Sequence, residues 1–105
     1  MLKYYFALFL LLGLFIMSCS SSVPEPSLQQ VQWASARWPG TDIRELSEGR
    51  DMYIEKCSGC HSLKIPSNYT EEEWTPVFKK MDKKAKLSED EREKIWHYIS
   101  AMSKR

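Results

Sequence analysis

The sequence predicts an all-α domain of about three helices. Two segments open with a capping box, in which Ser or Thr precedes Glu by three residues, at Thr70–Glu73 and Ser88–Glu91. Apolar residues recur at helical spacing in both segments. No run shows the alternating β-branched pattern of strands. A chain of 105 residues with 15 basic and 14 acidic side chains fits one small domain and gives no sign of nucleic-acid binding.

The first predicted helix runs from about Asp42 to Lys56. Asp42 serves as its N-cap, with Glu45 at the third helical position. Gly49 lies inside the helix, where glycine costs about 1 kcal/mol relative to alanine. We therefore expect a close approach by another helix at this residue. The predicted buried side carries Ile43, Leu46, Tyr53 and Ile54.

The second predicted helix follows a loop over residues 64–69 and begins at the Thr70 capping box. Proline removes a backbone donor and clashes with the preceding turn, so Pro76 predicts either a kink or a later start at Thr75. One apolar face carries Trp74, Val77, Phe78 and Met81.

The third predicted helix runs from Glu89 to about Met102. Trp96 lies on the flank of its buried stripe. His97 falls off this stripe, so the pattern predicts that its side chain faces water. The buried stripe consists of Ile95, Tyr98, Ile99 and Met102.

Residues 1–18 have the pattern of an export signal. Lys3 precedes the almost unbroken apolar run Tyr4–Met17, which is shorter than the roughly 20 residues of a membrane span and suits a signal-peptide core. Ser18-Cys19 after this run resembles a bacterial lipoprotein signal, although Met17 is bulkier than usual there. The resemblance implies cleavage before Cys19 and lipid on that residue. An ordinary signal peptide and an uncleaved anchor helix stay open as alternatives.

Residues 19–32 are rich in Ser, Pro and Gln and predict a lipidated flexible tether. The domain then comprises residues 33–105. Trp33 and Trp38 open it, and large aromatic side chains usually serve packing. We expect both to lie against the domain, with a role in docking a partner as the alternative.

The five residues from Cys57 to His61 read C-x-x-C-H, the attachment site of a covalent c-type haem. Cys57 and Cys60 would bond to the two vinyl groups of one porphyrin, and His61 would be the proximal iron ligand. A thioredoxin-like redox pair would need a βαβ context. A zinc site would need a fourth ligand, and no second knuckle follows. With lipid on Cys19, the haem assignment accounts for all three cysteines.

Together these residues resemble a small monohaem class I cytochrome c over roughly residues 42–102. In that family a glycine and an aromatic residue four positions later precede the haem motif, as Gly49 and Tyr53 do here. The last helix of the family carries an aliphatic and an aromatic residue three apart, matched by Ile95 and Tyr98. The resemblance implies a cytochrome c-like fold packed around one covalent haem c and a role in electron transfer rather than catalysis.

Met81 has two interpretations. In the first, it is the distal iron ligand, and its thioether raises the reduction potential. Met81 precedes the run Leu87-Ser88-Glu89 by six residues, which is similar to the position of the distal ligand in the family. Alternatively it is a core methionine that fills a gap. Here it ends an amphipathic helix rather than lying in a loop rich in Gly and Pro. Its rivals are less well placed: Met52, His97 and Met102.

Five lysines surround Met81 in the sequence. They form either a solvated helix face or a surface that steers an acidic redox partner. They are Lys79, Lys80, Lys83, Lys84 and Lys86.

The sequence thus predicts a membrane-tethered electron carrier in the cell envelope, on the periplasmic or outer face, with no catalytic residues. Two alternatives stay open: a haem protein or enzyme with a free sixth iron position, and a haem subunit of a larger oxidoreductase.

Overall fold

The computed structural model describes Tyr4 and residues 23–57 and 63–105. Within these ranges the chain forms four α-helices, one short 3-10 helix and no β-strand, which confirms the all-α prediction. No helix of the described residues is both long and apolar enough to cross a bilayer. The elements are α1 (Leu28–Arg37), α2 (Ile43–Cys57), the 3-10 helix Pro66–Asn68, α3 (Glu71–Ala85) and α4 (Glu89–Met102).

Helices α2 and α4 cross at Gly49. A Cβ atom added to Gly49 would lie 2.1 Å from the backbone oxygen of Lys94 and 3.0 Å from the Cβ of Tyr98. Only a residue without a side chain allows this approach, since the obstructing atom belongs to the backbone of α4. The predicted close contact is therefore confirmed.

Local capping fixes where the helices begin. The carboxylate of Asp42 accepts the backbone N–H of Glu45 at 2.8 Å, as predicted. Thr70 and Ser88 likewise cap α3 and α4. The alternative start of α3 at Thr75 is wrong: the capping box holds the first turn, and Pro76 lies inside the continuous helix.

Most of the buried apolar residues form one cluster, named here the main cluster. Ile43, predicted to be buried, is 44% exposed because it lies at the first position of α2, about 9 Å along the axis from the crossing at Gly49. The main cluster comprises Val23, Tyr53, Trp74, Phe78, Leu87, Ile95, Tyr98, Ile99 and Met102.

Residues 23–32, the described part of the predicted tether, pack against the domain. Val23 is 3% exposed and belongs to the main cluster. The backbone N–H of Ser27 donates to the side chain of Gln30 at 2.8 Å and so starts α1. Composition alone suggested a flexible stretch up to residue 32, and for residues 23–32 that prediction is wrong. A buried valine and a capped helix outweigh the Ser- and Pro-rich composition.

Helix α1 covers one side of α2 and α4 through a second cluster of Ala34, Leu46 and Ala101, against which Trp33 and Trp38 pack. This confirms the packing interpretation of the two tryptophans. It also corrects His97, which is 5% exposed rather than facing water. Its ring stacks on Trp38 at 3.9 Å, and its Nδ1 lies 3.2 Å from the carboxylate of Glu45. The sequence analysis did not predict α1. It therefore also did not predict that Trp38, which follows α1, covers His97.

Replacing Gly49 with alanine should destabilise the domain by about 1–3 kcal/mol, the usual cost of overpacking, despite the gain of about 1 kcal/mol in helix propensity. Glu55→Ala is the matched control, because Glu55 is exposed on the same helix, and it should change the stability by less than about 0.5 kcal/mol. Urea unfolding of both variants measures the difference. Equal midpoints for Gly49→Ala and the wild type would contradict the close crossing.

Stability should fall as the pH rises above about 10, the ordinary pKa of tyrosine. Burial raises the pKa of Tyr53 and of Tyr98 well above that value. The folded state therefore keeps both phenols protonated while the unfolded state ionises, so their contribution is complete below pH 10 and is lost above it. Circular dichroism melting from pH 8 to 11 tests this. The Tm of Tyr98→Phe should decline less across that range than the Tm of the wild type. A wild-type Tm that stays unchanged up to pH 11 would contradict the raised pKa of the two tyrosines.

Candidate functional site

Cys57 is the last residue of α2 and the first cysteine of the C-x-x-C-H motif. Its side chain is half-buried and packs against the main cluster. It lies one turn beyond Tyr53 and two turns beyond Gly49, so the three share one side of the helix. Cys60, His61 and the predicted lipidation site Cys19 lie outside the described residues.

Half-buried apolar side chains, Cys57 among them, pack against the main cluster. Their uncovered surface offers a large apolar group a place to bind, next to a cysteine that could hold it covalently. The residues present therefore fit a haem: an apolar rim, a thiol at its edge and a motif that supplies a second thiol and an imidazole. The half-buried residues are Met52, Ile54, Cys57, Leu63, Tyr69, Val77, Met81, Ala85 and Trp96.

The Cys57 thiol is poorly suited to redox chemistry of its own. Burial raises its pKa to about 11, whereas a reactive thiol needs a lowered pKa. The βαβ context of a thioredoxin-like pair is also missing from residues 23–57 and 63–105. In those same residues no group of three or more His, Cys, Asp and Glu side chains is placed to hold a metal ion. The geometry around Cys57 thus indicates a packed cysteine and not a reactive thiol.

Met81 lies on the core side of α3. It follows Trp74 by seven residues and Phe78 by three, and it packs half-buried against the same main cluster as Cys57. The helix places it on the side where the apolar rim lies, in agreement with both interpretations of this residue. Met52 packs there too, from α2, whereas Met102 is buried inside the cluster.

Two buried aromatic residues fix the chain that follows the motif, a feature that the sequence analysis missed. Tyr53 donates its hydroxyl to the backbone oxygen of Lys64, and Trp74 donates its indole N–H to the oxygen of Pro66 at 3.0 Å. The signal was the residue type: a Tyr or Trp at a buried position brings a polar atom that needs a partner. The backbone N–H of Lys104 adds a third tie, to the oxygen of Tyr69 at 2.9 Å.

An open groove of about 600 Å³ runs between α3 and α4. Phe78 and Trp96 face each other there with ring centroids 5.1 Å apart. The groove contains neither Cys57 nor Met81, but it shares Trp96 with the half-buried residues around the main cluster. It is lined by Thr75, Phe78, Lys79, Glu89, Arg92, Glu93, Trp96 and His97.

Comparison with known families shows a similarity over the C-terminal half of the chain. A family described as dihaem cytochrome c matches residues 53–105, just over half of the chain. The matched range begins at Tyr53, includes the whole C-x-x-C-H motif and Met81, and ends with α4 and the C-terminal residues. No curated protein and no solved structure matches the chain.

Proposed function

We propose, from the premise that this chain belongs to the dihaem cytochrome c family, that it is a membrane-anchored electron carrier with one haem attached through Cys57 and Cys60. Family membership makes the chain a c-type cytochrome with haem c as its cofactor and electron transfer as its general role. The observation that carries the finer proposal is the position of Cys57, at the edge of a half-buried apolar rim and at the start of C-x-x-C-H.

The bound haem supplies an iron that cycles between its ferrous and ferric states. The residues of the chain hold the site rigid around it. Gly49 sets the helix crossing, Tyr53 and Trp74 fix the chain beyond the motif, and the apolar rim excludes water. His61 is the proposed proximal iron ligand. These roles need no acid, base or nucleophile, which supports a carrier rather than an enzyme.

We place one haem on these residues, although the family is named for two. The sequence has three cysteines and a single C-x-x-C-H. Each covalent haem uses two cysteines and a following histidine, so Cys19 could not complete a second motif. The mass of the denatured protein tests the count: an increase by one haem supports it, and an increase by two contradicts it.

We propose Met81 as the distal iron ligand. It is half-buried on the rim, it lies on the core side of α3, and it precedes α4 by a short connection. A thioether ligand stabilises ferrous iron and raises the reduction potential. Met52 shares the rim but comes from the same helix as Cys57, so it serves as a comparison for the effect of methionine loss alone.

Met81→Ala should lower the reduction potential, abolish the weak red charge-transfer band of sulfur–iron ligation and allow rapid binding of carbon monoxide to the ferrous protein. Met52→Ala is the matched control. It should lose at most about 2–5 kcal/mol of stability, but it should keep the charge-transfer band and the reduction potential of the wild type. Optical spectra and redox titration measure both. Rapid carbon monoxide binding by the wild type would contradict the ligand assignment and favour an open sixth position.

We further propose that the exposed side of α3 attracts an acidic redox partner. Lys79, Lys80, Lys83 and Lys84 are exposed there, and Lys86 follows at the C-cap. The helical repeat puts Lys79, Lys80 and Lys83 on the side of α3 away from Trp74 and Phe78. Lys84, three residues after Met81, lies on the flank of the core side. The surface therefore extends from the flank beside Met81 to the back of the helix, within about one helix diameter, 10–12 Å. A cationic patch of this kind raises association rates in a salt-dependent way.

The double variant Lys80→Gln, Lys84→Gln should oxidise several-fold more slowly with the anionic reagent hexacyanoferrate at low salt, and the difference should shrink at high salt. The double variant Arg44→Gln, Lys104→Gln removes the same charge from exposed positions on α2 and the C-terminus and should change the rate little. Stopped-flow kinetics measures both. Equal slowing in the two variants would show that net charge, not this surface, sets the rate.

The anchor completes the proposal: lipid on Cys19 would confine the protein to the cell envelope, on the periplasmic or outer face of a membrane. Its support is the apolar run Tyr4–Met17 followed by Ser18-Cys19. Incorporation of radioactive palmitate that is lost in Cys19→Ser tests this, and retention of the label in that variant would contradict it.

A further inference from the structure

The segment Val23–Ser27, named here the strap, is fastened to the two central helices. Val23 is 3% exposed within the main cluster. Arg50 of α2 donates from Nε and Nη2 to the backbone oxygen of Val23 at 3.1 and 2.8 Å. Tyr98 of α4 donates its hydroxyl to the oxygen of Pro24. Pro24 and Pro26 restrict the backbone of the strap further. The domain is thus tied to its N-terminal segment from Val23 onwards.

The strap begins four residues after Cys19. An extended chain spans at most about 3.6 Å per residue, so Val23 can lie no more than about 14 Å from the Cα of Cys19. Helix α2, with 15 residues, is about 22 Å long. This maximum reach is shorter than α2, and a domain on so short a connection cannot turn over freely.

We propose that the face carrying the strap is the membrane-facing surface of the domain, with the lipid bilayer as its partner. The proposal rests on the anchor at Cys19 proposed above. An uncleaved apolar segment ending at Met17 would give a longer reach of about 22 Å over six residues. The lipid surface is the occupant that the sequence itself indicates, because the apolar run and the cysteine immediately precede the strap.

This orientation also places the haem end of α2 near the bilayer. Arg50, which holds the strap, and Cys57 lie seven residues apart and therefore on the same side of α2. The rise per residue separates them by about 10 Å along the helix axis. The point where the chain leaves the membrane and the point where the haem is attached are thus neighbours on one face, so the electron is exchanged close to the membrane surface.

The test uses the full lipidated protein in phosphatidylcholine liposomes that contain a headgroup-labelled fluorescent lipid. The haem acts as energy acceptor, so quenching per bound protein reports its distance from the bilayer. A flexible Gly-Ser spacer of about 20 residues between Ser22 and Val23 adds roughly 25 Å of reach and should reduce the quenching at least about twofold. The same spacer placed after Arg105 is the matched control and should leave it unchanged.

A second pair of variants tests the strap itself. Val23→Ser with Arg50→Ala removes its buried side chain and its main hydrogen bonds, so quenching should fall toward that of the spacer variant. Leu28→Ser with Arg44→Ala makes the same changes at exposed positions and should match the wild type. Equal quenching by the wild type and the Ser22–Val23 spacer variant overturns the proposal, as does a wild-type protein that does not float with the liposomes.

The two proposals fail in different ways. A spectrum of the same sample shows whether haem is attached, and its absence contradicts the proposed electron carrier. A dark acceptor dye, coupled through an unnatural amino acid at the exposed position of Glu55, then replaces the haem in the same quenching measurement. Quenching that depends on the spacer supports the orientation with either acceptor.

Discussion

The backbone contact between α2 and α4 at Gly49 is the constraint on which the rest of the structure depends. It brings the backbone of Lys94 to within 2.1 Å of where a side chain would begin, so the two helices have little freedom to slide. Gly49, Tyr53 and Cys57 follow one another at intervals of four residues and share one side of α2. The contact that packs the helices therefore also sets the direction in which Cys57 is presented, about 12 Å along the axis.

Hydrogen bonds from two buried aromatic residues fix the position of the chain beyond the end of α2. Tyr53 holds the oxygen of Lys64, and Trp74 holds that of Pro66, so the chain that follows residues 58–62 is fixed, as α2 fixes the chain before them. Each bond also satisfies a donor that burial would otherwise leave unpaired, which costs about 1–3 kcal/mol. The same residues thus serve the core and the site. Because α3 starts soon after this fixed segment, its core side, with Met81, is directed at the same cluster.

The sequence was sufficient where a local rule decided the outcome. The capping residues Thr70 and Ser88 and the buried stripe of α4 could be predicted from residues within a few positions, and the structure agrees with them. Gly49 was predicted to mark a helix crossing because glycine is costly inside a helix, and the contact with Lys94 confirms it. The sequence was insufficient where distant residues decided. His97 is buried only because Trp38 stacks on it, and Val23 is buried only because α2 and α4 leave room for it. Composition described the segment around Val23 correctly as Ser- and Pro-rich but could not reveal its packing partners.

Two short covalent links would then set the positions of the haem and of the membrane relative to this cytochrome domain. The thioethers would fix the haem to the end of α2, and the four-residue connection from Cys19 to Val23 would fix the strap to the membrane. Arg50 joins the two, because it holds the strap on the side of α2 that ends at Cys57. The lysines of α3 lie on a different helix and are exposed to solvent. Such a domain would keep one face on the bilayer and leave another open to a partner. A fixed relay between membrane-bound redox proteins needs this constant orientation, whereas a freely diffusing carrier does not need it.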